Sequence, residues 1–197
     1  EMVPESEKLR DLSEPVQKMG STILDNDVWI TQGAGFGNLP PRTILNIFPV
    51  NDQVVWASAF LCQDLTVTTD GGNTWTKKTI PDLPGLYNSM ICAIDANTAW
   101  MAMFKNSGST NGGIYKTTDG GDTWTRQGTA TFGGATSWPD IIYFWNADTG
   151  VCIGDPINGE YEIYTTTDGG AIWIRVPGSQ IPDPLPIEVQ SSHAMPS

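Results

Sequence analysis

The sequence writes one eight-residue phrase three times: Thr68-Thr69-Asp70-Gly71-Gly72-Asn73-Thr74-Trp75, Thr117-Thr118-Asp119-Gly120-Gly121-Asp122-Thr123-Trp124, and Thr166-Thr167-Asp168-Gly169-Gly170-Ala171-Ile172-Trp173. The aspartates are evenly spaced (119 − 70 and 168 − 119 both give 49). A fixed period of this size marks a repeat architecture, in which each unit buries its apolar surface on its neighbours. That constrains the fold more than any local propensity does.

Each part of the octet has a mechanical role. Asp-Gly-Gly between two strand-like runs is a hairpin signal, because glycine accepts the positive φ that a tight turn needs. The carboxylate can accept backbone N–H bonds from the turn that follows and so pin its shape. Threonine suits the flanking strands. The closing tryptophan enters the next strand as an apolar anchor, its burial worth roughly 2–3 kcal/mol. On this chemistry Asp70, Asp119 and Asp168 hold the fold and are not catalytic.

The pattern Thr-x-Asp-x-Gly-x-Thr-Trp resembles the Asp-box, or bacterial neuraminidase repeat, of β-propellers. It is carried here by Thr68, Asp70, Gly72 and Trp75, by Thr117, Asp119, Gly121 and Trp124, and by Thr166, Asp168, Gly170 and Trp173. The first two copies match at every motif position, and the third departs at Ile172. Sialidases, sortilin-type receptors, certain xyloglucan hydrolases and photosystem assembly factors share the motif. The wider texture (Ile141–Trp145, Gly154-Asp155-Pro156, Glu162–Asp168) resembles secreted Bacteroidetes-type Asp-box repeat proteins. The resemblance spans residues 22–188 and implies a propeller fold with a secreted or cell-surface bacterial location.

Around the octets lie three cassettes of four short strands each. They read 44–50, 54–60, 65–69 and 75–79; then 89–94, 99–104, 114–118 and 124–127; then 141–145, 150–154, 162–167 and 173–176. Turn clusters such as Val50-Asn51-Asp52, Asp95-Ala96-Asn97 and Asn146-Ala147-Asp148 separate them. Four antiparallel strands per repeat is the make-up of a propeller blade. The expected fold is therefore all-β, with blades at about 44–79, 88–127 and 139–177. Residues 21–37 read as the tail of a worn repeat, since Trp29-Ile30-Thr31-Gln32-Gly33 echoes Trp124–Gly128. Residues 1–20 read as a linker or short helix, 181–186 as an extended proline-rich connector and 189–197 as a tail. Propellers typically close with four to eight blades, so three imply a longer parent chain or, second, self-association, with a further irregular blade supplied by the termini as the third option. Glu1 suggests a processed or truncated chain.

Composition narrows the function classes. The 22 acidic and 10 basic residues give a net charge of −12, which repels phosphate backbones and anionic membranes. No apolar run approaches the ~20 residues that span a bilayer. Cys62, Cys92 and Cys152 have no metal-site spacing and read as buried thiols, with a single disulfide left open. His193 is the sole histidine and lies in the tail, which excludes Ser-His-Asp catalysis. No cofactor or metal is implied. Asp25-Asn26-Asp27 matches no calcium loop.

The sialidase resemblance implies an arginine triad, but only Arg10, Arg42, Arg126 and Arg175 are present. Arg126 and Arg175 share a repeat position with Lys77, which reads as a basic ladder on the outer strands. The enzyme-like candidates are Asp155, Glu160 and Glu162, with Asp140 and Asp148 nearby, since two facing carboxylates can serve as glycosidase acid and base. Against them, Asp-Pro and Asn-Gly are ordinary turn chemistry, and Glu162 beside Ile163 reads as a solvated strand residue. Trp138 and Tyr161 are the candidate ligand-binding aromatics, whereas the run 141–145 reads as core. Two functions are expected: a recognition or scaffold module for a glycan or protein partner, or a fragment of a glycoside hydrolase.

Overall fold

A computed structural model describes residues 44–59, 64–79, 85–105, 112–132 and 137–184, all within one compact unit. The expectations for residues 1–37, Cys62 and the tail lie outside the described residues. Twelve strands form three antiparallel sheets, each a simple meander. Blade 1 holds β1 (Ile44–Pro49), β2 (Val55–Ala59), β3 (Asp64–Thr68) and β4 (Thr76–Thr79). Blade 2 holds β5 (Leu86–Ala93), β6 (Ala99–Lys105), β7 (Gly113–Thr117) and β8 (Thr125–Arg126). Blade 3 holds β9 (Pro139–Phe144), β10 (Gly150–Ile157), β11 (Glu160–Thr166) and β12 (Ile174–Arg175). This is a partial β-propeller of three blades, with β1, β5 and β9 lying side by side as the first strand of each.

The turns follow directly from sequence. Between the first and second strand of each blade, the side chain of Asn51, Asp95 or Asn146 accepts two backbone N–H bonds from the residues two and three places on, at 2.7–2.9 Å. The octets fall between the third and fourth strands in every blade.

The core lies between sheets. Trp56, Leu65 and Val67 of blade 1 meet Ile91, Met101 and Met103 of blade 2. The opposite face of blade 2, with Cys92, Trp100, Ala102 and Ile114, meets Ile142, Phe144, Cys152 and Tyr164 of blade 3. Blade 2 is thus covered on both sides, which explains why the run Ala99–Met103 shows no polar alternation and is wholly buried. Cys92 and Cys152 are free, buried thiols.

Two expectations are corrected. The run 141–145 is not all core: Ile142 and Phe144 are buried, while Ile141, Tyr143 and Trp145 are exposed, Trp145 by 62%. The run is split because strand side chains alternate and, among the described residues, blade 3 is covered by blade 2 on one face only. Glu162 is not solvated; it points with Cys152 and Tyr164 toward blade 2 and is 4% exposed. The strands β10 and β11 also run further than expected, to a turn at Asn158-Gly159 whose φ values of 53° and 83° suit asparagine and glycine.

Candidate functional site

Two ends of the sheets differ in chemistry. At the first lie the three octets. In each, the first threonine hydroxyl (Thr68, Thr117, Thr166) donates to the aspartate Oδ1 at 2.8 Å and accepts from the second glycine N–H at 2.9–3.0 Å. The same Oδ1 accepts the N–H of Thr74, Thr123 or Ile172. Thr74 and Thr123 add a hydroxyl bond to Oδ2 at 2.6 Å, which Ile172 cannot make. These donors hold the carboxyls below the ordinary range, Asp119 at about 2, with the Thr123 hydroxyl the leading cause, then the Thr123 N–H and the Thr117 hydroxyl. Asp70 is lowered chiefly by the Thr74 hydroxyl, and Asp168 by the Ile172 N–H. With their oxygens committed to the turn, they act as structural clasps.

Each clasp is also bolted within its own blade. Its first glycine N–H donates to the first turn of its own blade: Gly71 to Gln53 O, Gly120 to Asn97 O, Gly169 to Asp148 O, at 2.8–3.0 Å. In blades 2 and 3 the preceding blade then grips the clasp from outside. Trp100 Nε1 and Lys116 Nζ both donate to Gly169 O, and Lys78 pairs with Asp122 at 2.5 Å. Trp56 and Lys78 also line the position of Gly121. Sequence reading missed Trp56, Trp100, Lys78 and Lys116 as partners of the octets.

At the opposite end, blade 3 gathers the acidic candidates. Asp155 lies inside β10, its N–H bonded to Trp138 O, where Gly154 pairs with Pro139. It faces Asp140, which burial raises to about 7, with the charge and hydrogen bond of Asp155 adding to the rise. Glu162 accepts from Ser137 Oγ and from Tyr164 Oη at 3.3 Å. Ser137 is the addition that sequence reading did not place in the site, while Asp140, named there as a neighbour in sequence, is the acid that meets Asp155. Glu160 stands apart, with its carboxylate 3.6 Å from Arg175. Trp138 is half-buried, its ring stacked on Phe104 with centroids 5.6 Å apart. Tyr161 is half-buried on β11. The basic ladder does lie on the fourth strands: Lys77 pairs with Asp64, Arg126 donates to Gly112 O, and Arg175 pairs with Glu160. Among the described residues no cluster of ligating side chains could hold a metal ion, and no helix is long and apolar enough to cross a membrane.

No protein-family model and no curated protein matches the chain. Among solved structures it is similar to an ancestral GH74 enzyme, with a TM-score of 0.50 and 15% identity over 76% of this chain and 19% of that one. It is also similar to YCF48 bound to a D1 peptide (TM-score 0.49, 22% identity, 68% and 40%) and to the GH74 xyloglucanase from Xanthomonas campestris (0.47, 14%, 64% and 19%). The likeness is one of fold. The chain spans well under half the length of each of these proteins.

The raised Asp140 has a consequence for stability. A carboxyl with a folded pKa near 7 binds its proton in the native state while the unfolded chain has lost it above about pH 4. Stability therefore falls as pH rises from about 4 to 7. Asp140→Asn should flatten that slope and raise stability at pH 8 by about 1–2 kcal/mol, after discount for solvent screening at a half-buried site. Urea midpoints of both proteins across pH 4–8 check it; parallel curves would contradict the carboxyl pair.

Proposed function

We propose that the chain is a non-catalytic recognition or scaffold module, part of an Asp-box propeller that acts outside the bacterial cell and binds a protein or glycan partner. The observation that carries this reading is the outer face of blade 3. Ile141, Tyr143, Trp145 and Ile174 share that face, exposed by 41–68%. Strand pairing puts Val151, Ile153 and Ile163 with them, and none of these seven side chains is charged. The equivalent face of blade 2 is covered by blade 3. A contiguous apolar sheet face of this kind marks an interaction surface. A longer parent chain is the first candidate to cover it, and a second copy the next.

The acids support the same reading by being occupied elsewhere. The clasp aspartates are tied into turns, Glu160 is paired with Arg175, and Glu162 is sealed beneath Ser137 and Tyr164. One observation bears on the alternative, a fragment of a glycoside hydrolase: Asp140, its carboxyl pushed up to about 7, is hydrogen-bonded to Asp155, an acidic pair that lies closer together than the roughly 5–9 Å a glycosidase acid and base keep. A glycan array run together with a hydrolysis screen on polysaccharides and sialosides separates the two. The expected result is no turnover, and an Asp155→Ala variant indistinguishable from the parent in both assays. Turnover that Asp155→Ala abolishes would replace the module with the enzyme.

A further inference from the structure

The two blade junctions are built on the same positions but differ by one cation. At the junction of blades 2 and 3, Lys116 on β7 reaches the clasp of the next blade. Its Nζ donates to Gly169 O at 3.0 Å and lies 4.8 Å from the centre of the Trp100 ring. Strand pairing fixes the equivalent residue in blade 1. Val67 pairs with Trp56 as Lys116 pairs with Trp100, so valine stands where lysine does. The carbonyl equivalent to Gly169 O is Gly120 O. Trp56 turns its N–H to Asp95 O instead, at 3.0 Å, and Gly120 O accepts no bond among the described residues.

The shorter side chain leaves a groove of about 230 Å³, open to solvent, lined by Val67, Thr69, Thr76, Lys78, Asn97, Asp119 and Gly120. Lys78 does not supply the missing charge. It is held by Asp122, and that pair is replaced as a unit at the other junction by Gln127 and Ala171, three residues after the tryptophan and sixth in the octet respectively. Setting aside that self-neutral pair, Asp119 and Asp168 are equivalent carboxylates, and only the junction of Asp168 carries its own ammonium.

We propose that the groove between blades 1 and 2 binds a primary alkylammonium, the group at the end of a lysine side chain presented by a protein partner. The protein's own second junction supplies the template, an ammonium donating to the clasp carbonyl with its alkyl stem along the sheet, although the indole face it meets there has no counterpart in the lining of the first groove. At the first junction the stem would lie on Val67 and the ammonium at Gly120 O, with the hydroxyls of Thr69 and Thr76 and the Asp119 carboxylate around it. Asp119 stays ionised to about pH 2, so the site keeps its charge through the physiological range. This inference is independent of what covers blade 3.

Titration of the isotopically labelled chain with Nα-acetyl-lysine methylamide, followed by amide NMR, tests it. Saturable shifts confined to Thr69, Asn97, Asp119 and Gly120 are expected, in the millimolar range, with none for the Nε-acetylated form, which has the same stem and no charge. Val67→Lys should supply the internal ammonium and weaken binding by at least about tenfold. Lys116→Val should do the reverse, opening a second responsive set at Asp168 and Gly169. 1,4-Diaminobutane run in parallel distinguishes a peptide-borne lysine from a free polyamine: tighter binding of the lysine derivative supports the assigned source, and tighter binding of the diamine overturns it. Absence of saturable shifts, equal response to the acetylated form, or a Lys116→Val variant with no new site would each overturn the proposal.

Discussion

Trp100→Ala is expected to cost about 3–5 kcal/mol, the largest effect of any single substitution considered for this chain, and to lower the melting temperature by roughly 10 °C. Trp100 is fully buried and does three things at once. Its ring stacks on Phe144 of the next blade, with centroids 3.6 Å apart and planes 11° from parallel. Its N–H donates to Gly169 O, and its face receives the Lys116 ammonium. Truncation removes the transfer free energy of the indole and leaves a cavity between two sheets that neither can close alone, because each is held in its own meander. Val151 holds the equivalent position in blade 3, where no further blade is described, and is only half-buried. Val151→Ala should therefore cost about 1 kcal/mol or less. Chemical unfolding of both variants checks the contrast. Equal losses would mean that the clasp is not gripped across the blade junction.

The strands and turns were legible from the sequence because their signals are local. Alternating β-branched residues, an Asn or Asp opening each first turn, and a threefold Asp-Gly-Gly placed β1–β4 to within a residue or so of where they lie. What was not legible depends on which sheet covers which. The run 141–145 carries the same letters whether one face or both are buried, and only the absence of a described sheet beyond blade 3 exposes Tyr143 and Trp145. The grip of Trp56 and Trp100 on the next clasp was hidden for a different reason. The octets recur every 49 residues but these tryptophans are 44 apart (100 − 56), because the connection from second to third strand is longer in blade 2. Inspection in the octet's own period does not bring them into line; strand pairing does. The acidic end was half legible. Asp155 and Glu162 were singled out as carboxylates, but the acid that faces Asp155 and the hydroxyl that covers Glu162, Asp140 and Ser137, come from residues 137–140, brought over by the pairing of β9 with β10.

Thr117→Val should cost about 2 kcal/mol, although it keeps shape, volume and β-propensity almost unchanged. The methyl takes the space of a hydroxyl that is 1% exposed as part of its residue and works in both directions. That hydroxyl donates to Asp119 Oδ1 at 2.8 Å and accepts from Gly121 N–H at 3.0 Å. Gly121 is itself buried, with φ at 89°, and lies against Trp56 and Leu65 of blade 1, so water cannot take over its N–H without opening the junction. An unpaired buried donor bears its full desolvation cost, which is where most of the loss arises. The carboxylate side contributes less, because Asp119 keeps both bonds from Thr123. It should nevertheless titrate higher in the variant, since one of its three leading donors is gone. The sign of that linkage is definite. A carboxyl whose folded pKa lies below its unfolded value adds stability that is full above about pH 4 and lost as pH falls toward the folded value. The penalty of Thr117→Val relative to the parent should accordingly shrink between pH 4 and pH 2, while the part due to Gly121 persists. Urea unfolding of the two proteins at pH 7 and pH 2.5 measures both parts. A loss under about 0.5 kcal/mol at pH 7 would mean that the hydroxyl is a passenger in the clasp, and that the glycine and aspartate hold the corner without it.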